Sequence, residues 1–212
     1  MDAISEQLAK YLLQIKAIQL SVQKPFTWAS GWLSPVYCDN RQILSYPDIR
    51  NFVRDSLTST LKEKFNDVDV IAGVATGGIA VGALVADQLQ KPFIYVRSAP
   101  KGHGMQKSVE GHVEDGQKVV MIEDLISSGK SSLQAVEAIR RETNTDVVGL
   151  IALFTYGFET ADDNFKNSNV PFYTLSNYKT LISVAIKNGY ILPEHEEVLN
   201  LWRKNPSQWG RT

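Results

Sequence analysis

The stretch from Val119 to Ser131 limits what this chain can fold into more than any other. Val119 to Ile122 form an apolar run of strand character, and it ends in two adjacent carboxylates, Glu123 and Asp124. After Leu125 and Ile126 comes a small polar loop, Ser127-Ser128-Gly129-Lys130-Ser131. A helical pattern follows at Ser132, Leu133, Ala135, Val136 and Ile139. A strand, a loop and a helix start in that order bring the amides of residues 127 to 131 and three serine hydroxyls to the positive end of a helix. One anion, of the size of a phosphate, can be held there. Gly129 lets the backbone approach closely or take positive φ. Glu123 and Asp124 can accept from vicinal hydroxyls and can stabilise positive charge, which suits a ribose. The plainer reading is that the acids begin a turn and the serines cap a helix. Ser128 to Ser131 also imitate a Walker A loop, but that motif needs glycine where Asp124 stands.

The rest of the chain alternates helical and strand patterns. Ile4, Leu8, Leu12, Ile15 and Ile18 predict an amphipathic helix over the first twenty residues. Residues 24 to 41 hold prolines, a glycine and aromatics without helical period and predict short strands and turns. Pro47 suits the first turn of a helix with Ile49, Phe52, Val53, Leu57, Leu61 and Phe65 inward. Strands are predicted near 68–74, 93–96, 119–122, 146–155 and 171–175. Helices are predicted after Ala75-Thr76-Gly77-Gly78 and near 177–188 and 194–204. This alternation predicts an α/β fold, a mainly parallel sheet flanked by helices, with ligands beyond the carboxyl ends of the strands. Thr76, Arg97 and Glu123 all fall at such ends.

A chain of 212 residues, 43% hydrophobic, can bury about 70% of its unfolded surface. One domain spanning 1–212 is expected. A net charge of -1 gives no general attraction to nucleic acid or anionic membrane. Cys38 is the sole cysteine, so no internal disulfide can form, in keeping with a reducing compartment. The amino terminus lacks a signal-peptide pattern, and no run reaches the roughly 18 apolar residues needed to span a bilayer. A cytoplasmic protein is expected.

Between the strands near 93–96 and 119–122 lies a polar segment that carries Arg97, Lys101, His103 and Lys107 among Gly102, Gly104 and Gly111. A flexible cationic loop near 98–112 suits a polyanionic leaving group, although a solvated surface loop would show the same charges.

The 119–131 stretch resembles the phosphoribosyl-diphosphate (PRPP) motif of type I phosphoribosyltransferases. The loop at 97–104 resembles the catalytic loop of the orotate phosphoribosyltransferase family. Residues 26 to 41, with Phe26-Thr27, Ser30-Gly31 and Ser34-Pro35, are similar to that family's hood over the base. The resemblance implies a type I phosphoribosyltransferase fold with a small N-terminal hood near 24–41. It implies PRPP binding by Arg97, Lys101, His103, Glu123, Asp124, Leu125, Ile126, Ser127, Ser128, Gly129, Lys130 and Ser131. Lys101, His103 and Asp124 would be catalytic, and Ser127 would also touch orotate. Mg²⁺ is implied as cofactor, held mainly through substrate oxygens and water, and so is a homodimer with shared sites. Some relatives carry lysine where Ser98, Gly77 or Ala29 stands here, and an arginine near Tyr156. A transferase acting on another base and a PRPP-sensing regulator without catalysis are the alternatives.

Overall fold

The computed structural model describes residues 2–28, 30–97 and 107–210. The chain opens with α1 (Ala3–Gln14), whose first turn is capped by the Asp2 carboxylate accepting from the Ser5 N–H. The helix predicted over twenty residues stops early. The Ile15 N–H turns back to carbonyls of the last turn, and Lys16 takes a φ of 57°, so Ile18 enters a strand instead. That strand, β1 (Ile18–Leu20), pairs antiparallel with β4 (Val36–Cys38), and between them β2 (Phe26–Thr27) pairs with β3 (Leu33–Ser34). A 3₁₀ helix at Asn40–Ser45 leads into α2 (Pro47–Lys64), with Pro47 at its first position as expected.

The remaining strands are β5 (Val70–Val74), β6 (Phe93–Val96), β7 (Val109–Glu110), β8 (Lys118–Ile126), β9 (Asp146–Thr155) and β10 (Phe172–Asn177). They form one sheet in the order β10-β9-β8-β5-β6-β7. Every pairing is parallel except β6 with β7. Alternation along the strands divides the core in two. Ile71, Val120 and Ile122 join the apolar layer that also holds residues of α1 and α2, of α3 (Gly77–Leu89) and of α6 (Tyr178–Lys187) and α7 (His195–Lys204). Val70, Ala72, Val119 and Met121 face the other layer, covered by α4 (Lys130–Glu142) and α5 (Glu159–Asn167). The α/β architecture read from the alternation of patterns is the one observed.

Three local features depart from the sequence reading. β8 does not end at Ile122 but runs through both acids to Ile126, paired with β9 as far as Thr155. The segment after β6 returns along the sheet edge as β7. α5 escaped notice because only Ala161 and Phe165 of its nine residues are buried, too few to mark a face. Among the described residues no helix is long and apolar enough to cross a membrane.

Candidate active site

Because β8 continues past Ile122, its pleat sends the two neighbouring acids to opposite faces of the sheet. Glu123 follows Val119 and Met121 toward α4. There it is 4% exposed, and the Ser132 hydroxyl donates to its Oε2 at 2.9 Å. Asp124 follows Val120 and Ile122 toward the start of α3. Its carboxylate lies so close to Gly77 that a Cβ there would fall 2.2 Å from the Asp124 Cγ. The two side chains still reach each other through a hydrogen bond between their carboxyl groups, so the neighbouring acids form one buried pair. Burial, and then the charge of Asp124, push the Glu123 carboxyl well above the usual carboxylate range. Burial likewise raises Asp124. The Ser132 hydroxyl, the Asp124 N–H and the charge of Arg41 offset this burial only in part, and sugar hydroxyls or a cation would offset more of it.

Asp124 is also fixed from the hood side. The buried Asn40 side chain donates to the Asp124 carbonyl at 2.7 Å, and the Cys38 thiol donates to Asn40 Oδ1 at 3.3 Å. Burial and the nearby Asp124 push the Cys38 thiol well up, so it is no thiolate nucleophile.

The turn from β8 to α4 passes through Gly129 at a φ of +75°, where an added Cβ would meet the Phe165 ring at 2.7 Å. Asn164 of α5 donates to the Ser128 carbonyl at 2.9 Å and holds the turn in place. No side chain caps α4, so its first amides remain open at the carboxyl end of the sheet, beside Ser127, Ser128, Lys130 and Ser131. α3 starts in the same way after Ala75 and Thr76, which makes a second positive helix end next to Asp124. The side chain of Leu125 reaches the hood cleft. That of Ile126 is fully buried, and its carbonyl accepts from the Tyr156 N–H, which fixes the strand end.

Arg97 stands at the end of β6, with its N–H donating to the Ser108 carbonyl and its guanidinium 3.5 Å from Glu110. Lys101 and His103 lie outside the described residues, as does Ala29 of the hood. The Glu142 carboxylate at the end of α4 accepts from the N–H groups of both Ser108 and Val109, at 2.7 and 3.0 Å. Partial burial opposes its charge, but those donors and Arg141 hold its carboxyl below the ordinary range. Among the described residues, no cluster of three His, Cys, Asp or Glu side chains could enclose a metal ion.

Beneath the hood lies a cleft of about 740 Å³ that runs from Ser127 and Leu125 to the end of α7. Aromatic rings form its walls: Trp28 packs 5.2 Å from Tyr156, and Tyr156 stacks on Phe158 at 5.4 Å. The sequence reading found no cation beside Tyr156. The structure brings Arg203 there from the last helix, its Nη1 donating to the Gly157 carbonyl at 3.0 Å. No local pattern announced it, because the contact spans 46 positions.

A family model described as a phosphoribosyl transferase domain matches residues 40–185. The chain is 54% identical to orotate phosphoribosyltransferase of Bacteroides thetaiotaomicron over 209 residues, 99% of this chain and 98% of that one. The chain belongs to the orotate phosphoribosyltransferase family. A member from Listeria monocytogenes is 48% identical, again over 99% of this chain and the full length of the relative. Among solved structures, orotate phosphoribosyltransferase from Aeropyrum pernix superposes with a TM-score of 0.74 at 29% identity, over 87% of this chain and 99% of that one. The expected family and fold are thus found. In this orotate phosphoribosyltransferase fold the carboxyl ends of three adjacent strands, β6, β5 and β8, carry Arg97, Thr76, Asp124 and the Ser127 to Ser131 turn.

Proposed function

We propose that this protein transfers the ribose 5-phosphate group of PRPP to orotate, yielding orotidine 5'-monophosphate and diphosphate on the route to UMP. One observation carries the reading at the level of chemistry: a single strand end presents a desolvated carboxylate, an uncapped helix start and an aromatic cleft side by side. Sugar, phosphate and base each find a suitable neighbour there. The 212 residues act as one catalytic domain, with the hood near 24–41 over the base and the loop near 98–112 over the diphosphate.

In this reading the amides and hydroxyls of Ser127 to Ser131 anchor the 5'-phosphate, away from the breaking bond. Asp124 and Glu123 accept from the ribose hydroxyls. As the bond to diphosphate loosens, positive charge grows on the sugar, and two buried carboxylates stabilise it more than they stabilise the ground state. Arg97, Lys101 and His103 meet the departing diphosphate, and Arg97 exchanges its long contact with Glu110 for it. Orotate needs no strong base because its ring nitrogen attacks as an anion. The donor set suits Mg²⁺, which takes one or two carboxylate oxygens and completes its shell with phosphates and water. Asp124 would lend an oxygen. When bound, the ion would neutralise charge on the diphosphate. We further propose a cytoplasmic homodimer whose loop residues serve the partner's site.

The test is direct. Purified protein with Mg²⁺ and PRPP is given orotate, uracil, adenine or hypoxanthine, and base consumption and diphosphate release are followed. Orotate consumption well above the other bases is expected. Preference for another base overturns the assignment, and PRPP binding without any turnover favours a regulator. Mixing inactive Lys101→Ala and Asp124→Ala proteins tests the shared site. Recovered activity is expected, and its absence removes the sharing.

A further inference from the structure

Three features of the hood cleft bear on how a base is chosen. First, it adjoins the sugar position, because Leu125 and Ser127 of the β8 end line it directly. Second, its lining includes the partly exposed rings of Trp28, Trp32 and Tyr37, suited to a planar heterocycle. Third, the cations lining it are Arg203 and Lys204, and both come from the end of α7. Lys204 is exposed, whereas Arg203 is half-buried.

Arg203 is held in an unusual way for a partly buried cation. Among the described residues no carboxylate pairs with it; its hydrogen bond goes from Nη1 to the Gly157 carbonyl. Gly157 takes a φ of +65°, and a Cβ there would stand 3.2 Å from Nη1. The chain thus turns at a residue whose missing side chain lets the guanidinium in. One prong is anchored, which leaves the others of the fork for an acceptor of planar geometry. Glu159, the acidic side chain lining the cleft, is exposed at its rim and makes no ion pair with Arg203.

We infer that Arg203 is the residue that selects a carboxylate-bearing base, by pairing with the orotate carboxylate while the ring lies against the partly exposed rings of Trp28 and Trp32. This assignment rests on the proposed reaction and adds to it the element that distinguishes orotate from uracil, the same ring without its carboxylate. The geometry supports it economically, since a half-buried guanidinium with no acid beside it gains most from an anion delivered by substrate. Orotate then brings to the cleft the charge that the protein does not supply. The carboxyl-terminal helix is thereby part of the binding site rather than a surface appendage.

The experiment compares wild type with Arg203→Gln, which keeps a donor for the Gly157 carbonyl but loses the charge, and with Arg203→Lys, which keeps the charge. Steady-state constants are measured for orotate, for uracil and for PRPP. In Arg203→Gln the orotate KM is expected to rise about 10- to 100-fold, the loss of one charge-assisted pair. kcat and the PRPP KM should stay within about twofold, because the contact forms equally in ground and transition states. Slow turnover of uracil should be unchanged, so the preference for orotate falls by the same factor, and Arg203→Lys should recover part of it. An unchanged orotate KM in Arg203→Gln overturns the inference. So does a parallel loss with uracil, which would mark Arg203 as a brace for the cleft. Should Arg203→Gln fail to fold, Arg203→Lys decides: a preference for orotate lost entirely despite the retained charge overturns the inference, and one largely kept supports it. A wild type that uses another base and ignores orotate instead overturns the reaction.

Discussion

Removing the Ser132 hydroxyl asks whether Glu123 is kept as an anion behind the sugar site. Ser132 is fully buried and donates to Glu123 Oε2 at 2.9 Å; the other hydrogen bond to this carboxylate comes from the Asp124 N–H at 3.2 Å. Ser132→Ala leaves helix α4 intact and deletes the better donor. A hydrogen bond to a charged group contributes about 1.5–3 kcal/mol, against about 0.5–1.5 kcal/mol for a neutral pair. In a chain of this size each kcal/mol moves Tm by about 2–4 °C, so the expected fall at neutral pH is about 3–12 °C. The pH dependence is the sharper part. Burial raises the folded pKa of Glu123 above its unfolded value, so the folded protein binds this proton more tightly. Stability from the group is therefore fully present below the unfolded pKa of about 4.3 and is lost as pH rises toward the folded value. Ser132→Ala lifts the folded value further, so its deficit relative to wild type is small near pH 4 and widens as pH climbs. Thermal unfolding across the range from about pH 4 to 8 measures this. A deficit that is the same at both ends would show that Ser132 serves packing alone, and the picture of a braced, charged Glu123 would fail.

Other substitutions probe the rest of the site. Lys101→Ala should lower kcat by about 10²- to 10³-fold while ribose 5-phosphate still binds, because one donor to the leaving group is lost and the phosphate turn is untouched; normal turnover would remove Lys101 from the mechanism. Gly78→Ala should cost stability by about 1–3 kcal/mol or more, read as Tm, since the new Cβ would lie 2.2 Å from the Ile122 carbonyl and backbone cannot rotate aside. An unchanged Tm would mean that α3 can shift away from β8.

Much of the molecule is written locally. The apolar runs of β5, β6 and β9, the proline that opens α2 and the Gly129 turn are each properties of neighbouring residues, and short-range sterics and hydrophobic periodicity suffice to read them. The family's motifs lie in the same local patterns, which is why the fold and the phosphate turn could be expected from residues alone.

The division of labour between the two acids was different. Glu123 and Asp124 are adjacent in sequence, and only the pairing of β8 with β9 as far as Ile126 shows that the strand, and hence its alternation, passes through them. Asn40 reaches the Asp124 carbonyl across 84 positions, and Arg203 reaches Gly157 across 46. No periodicity links such pairs. They meet because burying α7 and the hood on the same edge of the core is favourable summed over many side chains, Trp202 and Trp28 among them. The sequence by itself determined most of the elements and the small polar turn between β8 and α4. Tertiary packing decided how the two carboxylates are buried and which cation closes the far end of the hood cleft, because those depend on surfaces brought together from distant parts of the chain.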